Sequence, residues 1–238
     1  MNKKTVFALL PIRCILFTLI FIIGARIVDK SIDDISNWWS IAATAVNIVT
    51  IILLVTAARK NNMTYKELIN YQKGSTKAKQ IVLVSIVIIV TGMAGMNLAG
   101  LICYGVIPYA PPMIIAPIPK ALAIINALLL PITTAFAEDG LYFGVGVNGI
   151  KNQKAAIVIP ALFFALQHCF IPTLFDARYI IYRFISFLPC AIILCIYYQK
   201  KKNPVPIMVG HGLIDVATVM QILATSMIPG FYEKMCSL

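Results

Sequence analysis

Three short stretches place groups able to do acid–base chemistry inside runs of apolar residues. The first is Ala137-Glu138-Asp139-Gly140-Leu141-Tyr142-Phe143-Gly144, with two adjacent carboxylates at the end of a long apolar segment. The second is Phe164-Ala165-Leu166-Gln167-His168, and the third is His211-Gly212-Leu213-Ile214-Asp215. An ionised side chain in hydrocarbon is costly unless it faces a cavity, a partner or a metal, so intramembrane acids mark functional sites by default. Neighbouring residues on a helix point about 100° apart, so Glu138 and Asp139 divide their roles: one acts and the other supports. Helical spacing sets Phe164 and His168 on one face, and likewise His211 and Asp215. There the carboxylate can accept from the imidazole, or both can bind a water, a metal or an oxyanion. Glu138, as a positioned carboxylate, can take a proton from water and hand it on. His168 and His211 are the two histidines of the chain.

The elements that must hold these groups are membrane helices. The chain has 238 residues, 60% of them apolar and 12% charged, against roughly a quarter charged in soluble domains. Runs of about 20 apolar residues span the hydrocarbon layer. The sequence predicts about seven spans, near residues 6–25, 40–58, 81–107, 121–143, 155–170, 179–198 and 205–228, with the fifth short. The fold class expected is an all-α, polytopic transmembrane bundle: a single integral domain over 1–238, with residues 130–220 as the core that carries the three stretches. The net charge of +11 excludes little by itself. Its lysines and arginines sit in short segments between apolar runs, which reads as topology rather than nucleic-acid binding. Lys3, Lys4, Arg59, Lys60, Lys66, Lys73, Lys77, Lys79, Lys151, Lys154 and Lys200 to Lys202 fall on one side, about twice the number on the other, which predicts a cytoplasmic N-terminus. Arg13 interrupts the first apolar run, so that run reads as a retained span rather than a cleaved signal.

Rises of 1.5 Å per residue put Glu138 roughly 17 Å, His168 roughly 21 Å and His211 roughly 12 Å from the inner loops, close enough for one shared site once helices tilt. Pro131 should bend the fourth span seven residues before Glu138. The prolines of 108–119 should make a stiff, non-helical cap. Gly95 and Ala99 form a small-xxx-small helix contact. Gly144 to Gly149 fits G-x-G-x-x-G but follows a membrane helix, so a flexible turn is expected rather than a dinucleotide site. The six cysteines lack metal spacing and read as packing residues.

In order and spacing, Glu138-Asp139-xxx-Phe143-Gly144, Phe164-xxx-His168 and His211-xxx-Asp215 resemble the motifs of the CAAX protease and bacteriocin-processing family of intramembrane proteases, whose pattern is E-E-x-x-x-R-G, F-x-x-x-H and H-x-x-x-N or D. The resemblance implies a membrane peptide hydrolase acting on a peptide or lipidated protein in the bilayer, within the cell membrane. It implies that Glu138 and His168 activate water while His211 and Asp215 hold the oxyanion or help ligate a metal. The resemblance implies either a metal-free glutamate mechanism or a zinc-assisted one, and Glu138, His168, His211 and Asp215 are the ligand set for zinc in the second case. Asp139, Tyr142 and Phe164 would support. Two departures stand out: Asp139 replaces the second glutamate, and Phe143 replaces the arginine. The lost i,i+4 pair leaves Asp139 in need of a partner, for which Arg183 and Tyr142 qualify by type. Other readings are a non-catalytic peptide-binding, immunity or scaffold protein, and a small transporter with a proton relay through Glu138, His168 and Asp215.

Overall fold

The computed structural model describes residues 2–237, and among them no strand forms beyond one isolated bridge between Phe170 and Thr173. The helices are α1 (Lys3–Leu9), α2 (Ile12–Ile27), α3 (Trp39–Lys60), α4 (Tyr65–Leu68), α5 (Ala78–Tyr104), α6 (Lys120–Thr134), α7 (Ala155–His168), α8 (Ala177–Lys201), α9 (Val205–Met227) and α10 (Phe231–Cys236). A π-helix, Ala135–Val147, continues α6 without a break. Six helical segments are long and apolar enough to cross a membrane: Lys3–Ile27, Asp33–Lys60, Ala78–Tyr104, Lys120–Val147, Ala177–Lys201 and Val205–Met227. The chain is therefore a multi-pass, all-α bundle. Of the seven expected spans, the fifth falls short: α7 has 14 residues. Its early stop is what the site is built on.

Two features of the sequence explain where α7 ends. Pro172 disfavours helical backbone at Ile171, which favours an end to the helix before it. Non-helical backbone at membrane depth is tolerated only when protein covers it. Cys169, Ile171, Pro172, Thr173 and Leu174 are all buried. The side chain of Arg183 on α8 reaches the exposed carbonyl end of α7, donating through Nε to His168 O (3.0 Å) and through Nη2 to Ile171 O (3.1 Å). A cation there also complements the negative end of the helix dipole.

Pro131 removes one helical N–H, and the ladder then widens to i→i+5 bonding from Ala135. Neighbouring helices hold this bend. Asn47 of α3 donates through Nδ2 to Thr133 Oγ1 (3.2 Å) and Thr134 Oγ1 (2.9 Å), and the Tyr65 hydroxyl donates to Phe136 O. The π-segment runs on through Gly144 and Gly146, both buried, so the flexible turn expected at 144–149 does not form. Instead the glycines here let neighbouring side chains press against the backbone: a Cβ on Gly146 would lie 2.8 Å from Pro160 Cγ, and one on Gly149 2.5 Å from Val6 Cγ2.

The segment between α5 and α6 is non-helical apart from a 3-10 turn at Pro112–Ile115, and it is pinned from several sides. Trp39 donates to Ile114 O (3.1 Å), Thr225 to Ile115 O (2.8 Å) and Tyr182 to Tyr109 O (3.0 Å). Four of the cysteines, Cys14, Cys169, Cys190 and Cys195, are buried and unpaired.

The α5–α8 contact follows the small-residue pair. Ala99 is fully buried, and a Cβ added at Gly95 would run into Ser186 O, a backbone atom that cannot rotate away. Gly95→Val is expected to destabilise the bundle by about 1–3 kcal/mol through forced helix separation. Gly92→Ala, whose new Cβ meets nothing closer than 4.0 Å, is the control, and thermal unfolding in detergent compares them. Equal midpoints would sink the assignment.

Candidate functional site

The π-segment, α7 and α9 bring the three sequence stretches together, and α2, which the sequence reading left out, completes them. Glu138, 3% exposed, is held on both oxygens. Arg13 Nη2 on α2 donates to Glu138 Oε1 at 2.7 Å, and Gln167 Nε2 on α7 donates to Glu138 Oε2 at 2.7 Å. Arg13 Nε in turn donates to Gln167 Oε1, closing a ring of Arg13, Gln167 and Glu138. Arg13 Nη1 reaches Thr50 Oγ1 (3.2 Å), and the Tyr142 hydroxyl donates to Gln167 Oε1 (3.1 Å). A buried ion pair persists only where such hydrogen bonds satisfy its remaining donors and acceptors.

Both imidazoles turn Nε2 toward the same carboxylate oxygen. His168 Nε2 lies 3.9 Å and His211 Nε2 3.8 Å from Glu138 Oε2. The opposite ring nitrogens are fixed. His168 Nδ1 is 2.7 Å from Phe164 O, a carbonyl that can only accept, so Nδ1 carries the proton and the neutral ring offers a lone pair at Nε2. His211 Nδ1 donates to Asp139 Oδ1 at 3.1 Å. Aromatic packing fixes the planes: Phe187 stacks on His168 with centroids 3.7 Å apart, and the Arg183 guanidinium lies 4.7 Å from the far ring of that stack. Phe164 sits between the imidazoles, 4.9 Å from His168 and 5.8 Å from His211 by centroids.

Several expectations change here. Asp215 makes no hydrogen bond or ion pair with His211. The nearer carboxylate, Asp139, takes that place, because the π-segment turns it toward α9. Asp215 Oδ2 and Asp139 Oδ2 are both buried without a hydrogen-bond partner. Orphaned buried oxygens of this kind call for a water or a ligand group. Asp139 is therefore not served by Arg183 or by Tyr142. The first caps α7 and the second bonds Gln167. Phe143 stands fully buried where the motif has arginine, packed against Tyr198 (5.5 Å) and Phe164 (6.4 Å). Arg13 and Gln167 escaped the sequence reading. Their signal was a lone cation and a lone amide inside apolar runs, each of which must find a partner in the bundle.

Among the described residues no three His, Cys, Asp or Glu side chains are grouped to hold a metal ion. Two ligands of one tetrahedral zinc lie roughly 3.3 Å apart, tighter than the gaps of 3.9 and 3.8 Å found here. The guanidinium of Arg13 balances the charge of Glu138, and the amide of Gln167 takes one lone pair of Oε2, which leaves the other facing the two imidazoles. In this arrangement the three groups are not closed around a zinc ion. A water bonding both partners at roughly 2.8 Å bridges such gaps at an angle of roughly 90°.

Beside these groups lies an apolar cleft of about 1040 Å³, lined in part by Pro131, Ala135, Phe136, Gly212 and Leu213, with Arg59 and Lys66 also on its wall. Its lining includes Gly212, the residue after His211, and Ala135, three residues before Glu138.

An all-α membrane bundle with a buried glutamate facing two histidines defines the class of polytopic membrane protein with an intramembrane polar site. Residues 120–217 match the family model described as Rce1-like, type II CAAX prenyl endopeptidase Rce1-like, consistent with the CAAX protease and bacteriocin-processing family. At the level of family this supports a CAAX-type intramembrane protease. No curated protein and no solved structure matches the chain.

Proposed function

We propose that the protein is an intramembrane endopeptidase that hydrolyses a peptide bond of a membrane-associated, prenylated or otherwise lipidated peptide. The observation that carries this reading is the convergence of both Nε2 atoms on Glu138 Oε2 while each Nδ1 is tied elsewhere. A water seated there donates one hydrogen to Glu138 Oε2 and the other to His168 Nε2, which leaves an oxygen lone pair for a carbonyl carbon. The water oxygen bonds to that carbon, and its proton passes to the Glu138–His168 pair. In this scheme His211, anchored at Nδ1 by Asp139, would donate to the carbonyl oxyanion through Nε2–H, and Asp215 would join it only as the protonated acid. Collapse breaks the C–N bond, and the held proton goes to the departing amine.

The prenylated substrate class rests on the family match, and the adjacent apolar cleft supplies a surface for a lipid chain. Its basic residues, Arg59 and Lys66, suit an acidic peptide end. The cell membrane is the proposed location, with the lysine-rich side cytoplasmic.

Cleavage of a prenylated and an unmodified peptide library by purified protein in detergent tests this, read by mass spectrometry with and without a chelator and with metal content measured in parallel. Expected are chelator-resistant cleavage of the prenylated peptides and its loss in His168→Ala. Loss on chelation with recovery on adding zinc would replace the water-only scheme by a zinc one. A folded protein that binds these peptides and cuts none would overturn the enzyme reading, and the buried Phe143 would then favour a peptide-binding role.

A further inference from the structure

We infer that Arg13, on the first span, is the positioning residue of this site: it brings a cation from outside the motif and sets Glu138 against the two imidazoles. The inference rests on the reading of Glu138 as the group that activates water. Arg13 is fully buried and lies outside the family-matched stretch of residues 120–217, so nothing in the three motifs predicts it. A buried arginine needs every donor occupied by acceptors. Here its three nitrogens serve three separate elements: Nη2 the π-segment at Glu138, Nε α7 at Gln167, and Nη1 α3 at Thr50. Its guanidinium plane lies 5.3 Å from the Phe17 ring, one turn further along α2.

The geometry gives this arrangement a direction. With Oε1 held by Arg13 and Oε2 by Gln167, the carboxylate cannot rotate, and the free lone pair of Oε2 points to the space shared with His168 and His211. Because Arg13 also bonds the residue just before His168, one side chain fixes acid and imidazole relative to each other. Position 143 could not do the same work. Its side chain lies in an apolar layer between Phe164 and Tyr198. A guanidinium on α2 instead reaches Glu138 from the opposite side of the cluster.

The test uses the full-length protein in detergent, an internally quenched prenylated peptide, and the variants Arg13→Lys, Arg13→Met and Arg13→Met with Phe143→Arg. Arg13→Met is expected to lower kcat about 100-fold with KM within about twofold, since a misplacement near 1 Å costs about that much. Arg13→Lys should recover about a tenth of parental kcat, because an ammonium is a point charge without the planar fork. Adding Phe143→Arg to Arg13→Met should not raise kcat over Arg13→Met alone, because position 143 lies in the apolar layer of Phe164 and Tyr198; a recovery of kcat would overturn the inference that the cation must come from α2. Parental kcat in folded Arg13→Met, or a loss confined to KM, would overturn the inference. If Arg13→Met does not fold, Arg13→Lys decides by the same split of kcat from KM. If the parent cuts no peptide, the functional reading fails separately, and thermal unfolding of Arg13→Met, Glu138→Gln and the double variant still reads the pair: additive shifts would show that the two residues are not coupled.

Discussion

Replacing both members of the buried ion pair, Arg13→Met with Glu138→Met, is expected to give a protein at least as stable as the parent and wholly inactive. Glu138→Ala alone should lose activity too, but it leaves the Arg13 guanidinium buried without its counter-charge, at a cost of about 3–5 kcal/mol. Loss of cleavage in that single variant could then reflect a damaged fold. The double replacement removes the ambiguity. Two charges taken out together relieve a desolvation penalty as well as an attraction, and packed apolar residues of similar volume are often neutral or stabilising by about 1–4 kcal/mol. Arg13 is 0% and Glu138 3% exposed, so hydration offers little to either charge. Denaturation in detergent measures stability and peptide hydrolysis measures activity. A double variant that unfolds with Glu138→Ala would show that the pair holds the bundle together in ways beyond charge balance. A double variant that still cuts would remove Glu138 from the chemistry.

The bundle was legible because membrane helices announce themselves by length and hydropathy, and six of the segments read from sequence form helices long and apolar enough to cross. Residues Glu138, His168 and His211 were equally legible, because polar groups in apolar runs have few reasons to exist. Their pairings were not. An i,i+4 spacing brings His211 and Asp215 to one face of α9, yet His211 takes Asp139, whose direction depends on the π-helical winding after Pro131. Sequence periodicity assumes 3.6 residues per turn, so a widened ladder misplaces each side chain that follows it. Arg13 could be seen as a cation needing a partner, but its partner lies 125 positions away, and no local pattern encodes such a contact. The shortness of α7 was visible, but its purpose was not: stopping the helix at His168 exposes carbonyls that a neighbouring arginine must collect.

That last arrangement yields the other large effect. Arg183→Leu is expected to lower cleavage by about 100-fold or more, through displacement of His168, and to destabilise the bundle by about 1–3 kcal/mol, the cost of leaving buried acceptors unpaired. Arg183 donates to two carbonyls, His168 O and Ile171 O, and its guanidinium backs the Phe187 ring that stacks on the His168 imidazole. One replacement thus frees the end of α7 and unseats the ring that orients the imidazole. Ile171 O keeps a second donor in the Tyr179 hydroxyl at 3.1 Å, so the damage should concentrate at His168. Arg183→Lys retains the charge at the helix terminus but cannot span both carbonyls. It should therefore restore more of the stability than of the activity. Unfolding midpoints and kcat, compared across Arg183→Leu, Arg183→Lys and Phe187→Leu, separate the two contributions. Phe187→Leu removes only the stacking, and is expected to lower kcat while leaving the capped helix end intact. If Arg183→Lys matched the parent in rate, the forked contact would be irrelevant to the position of His168, and charge at the end of α7 would suffice.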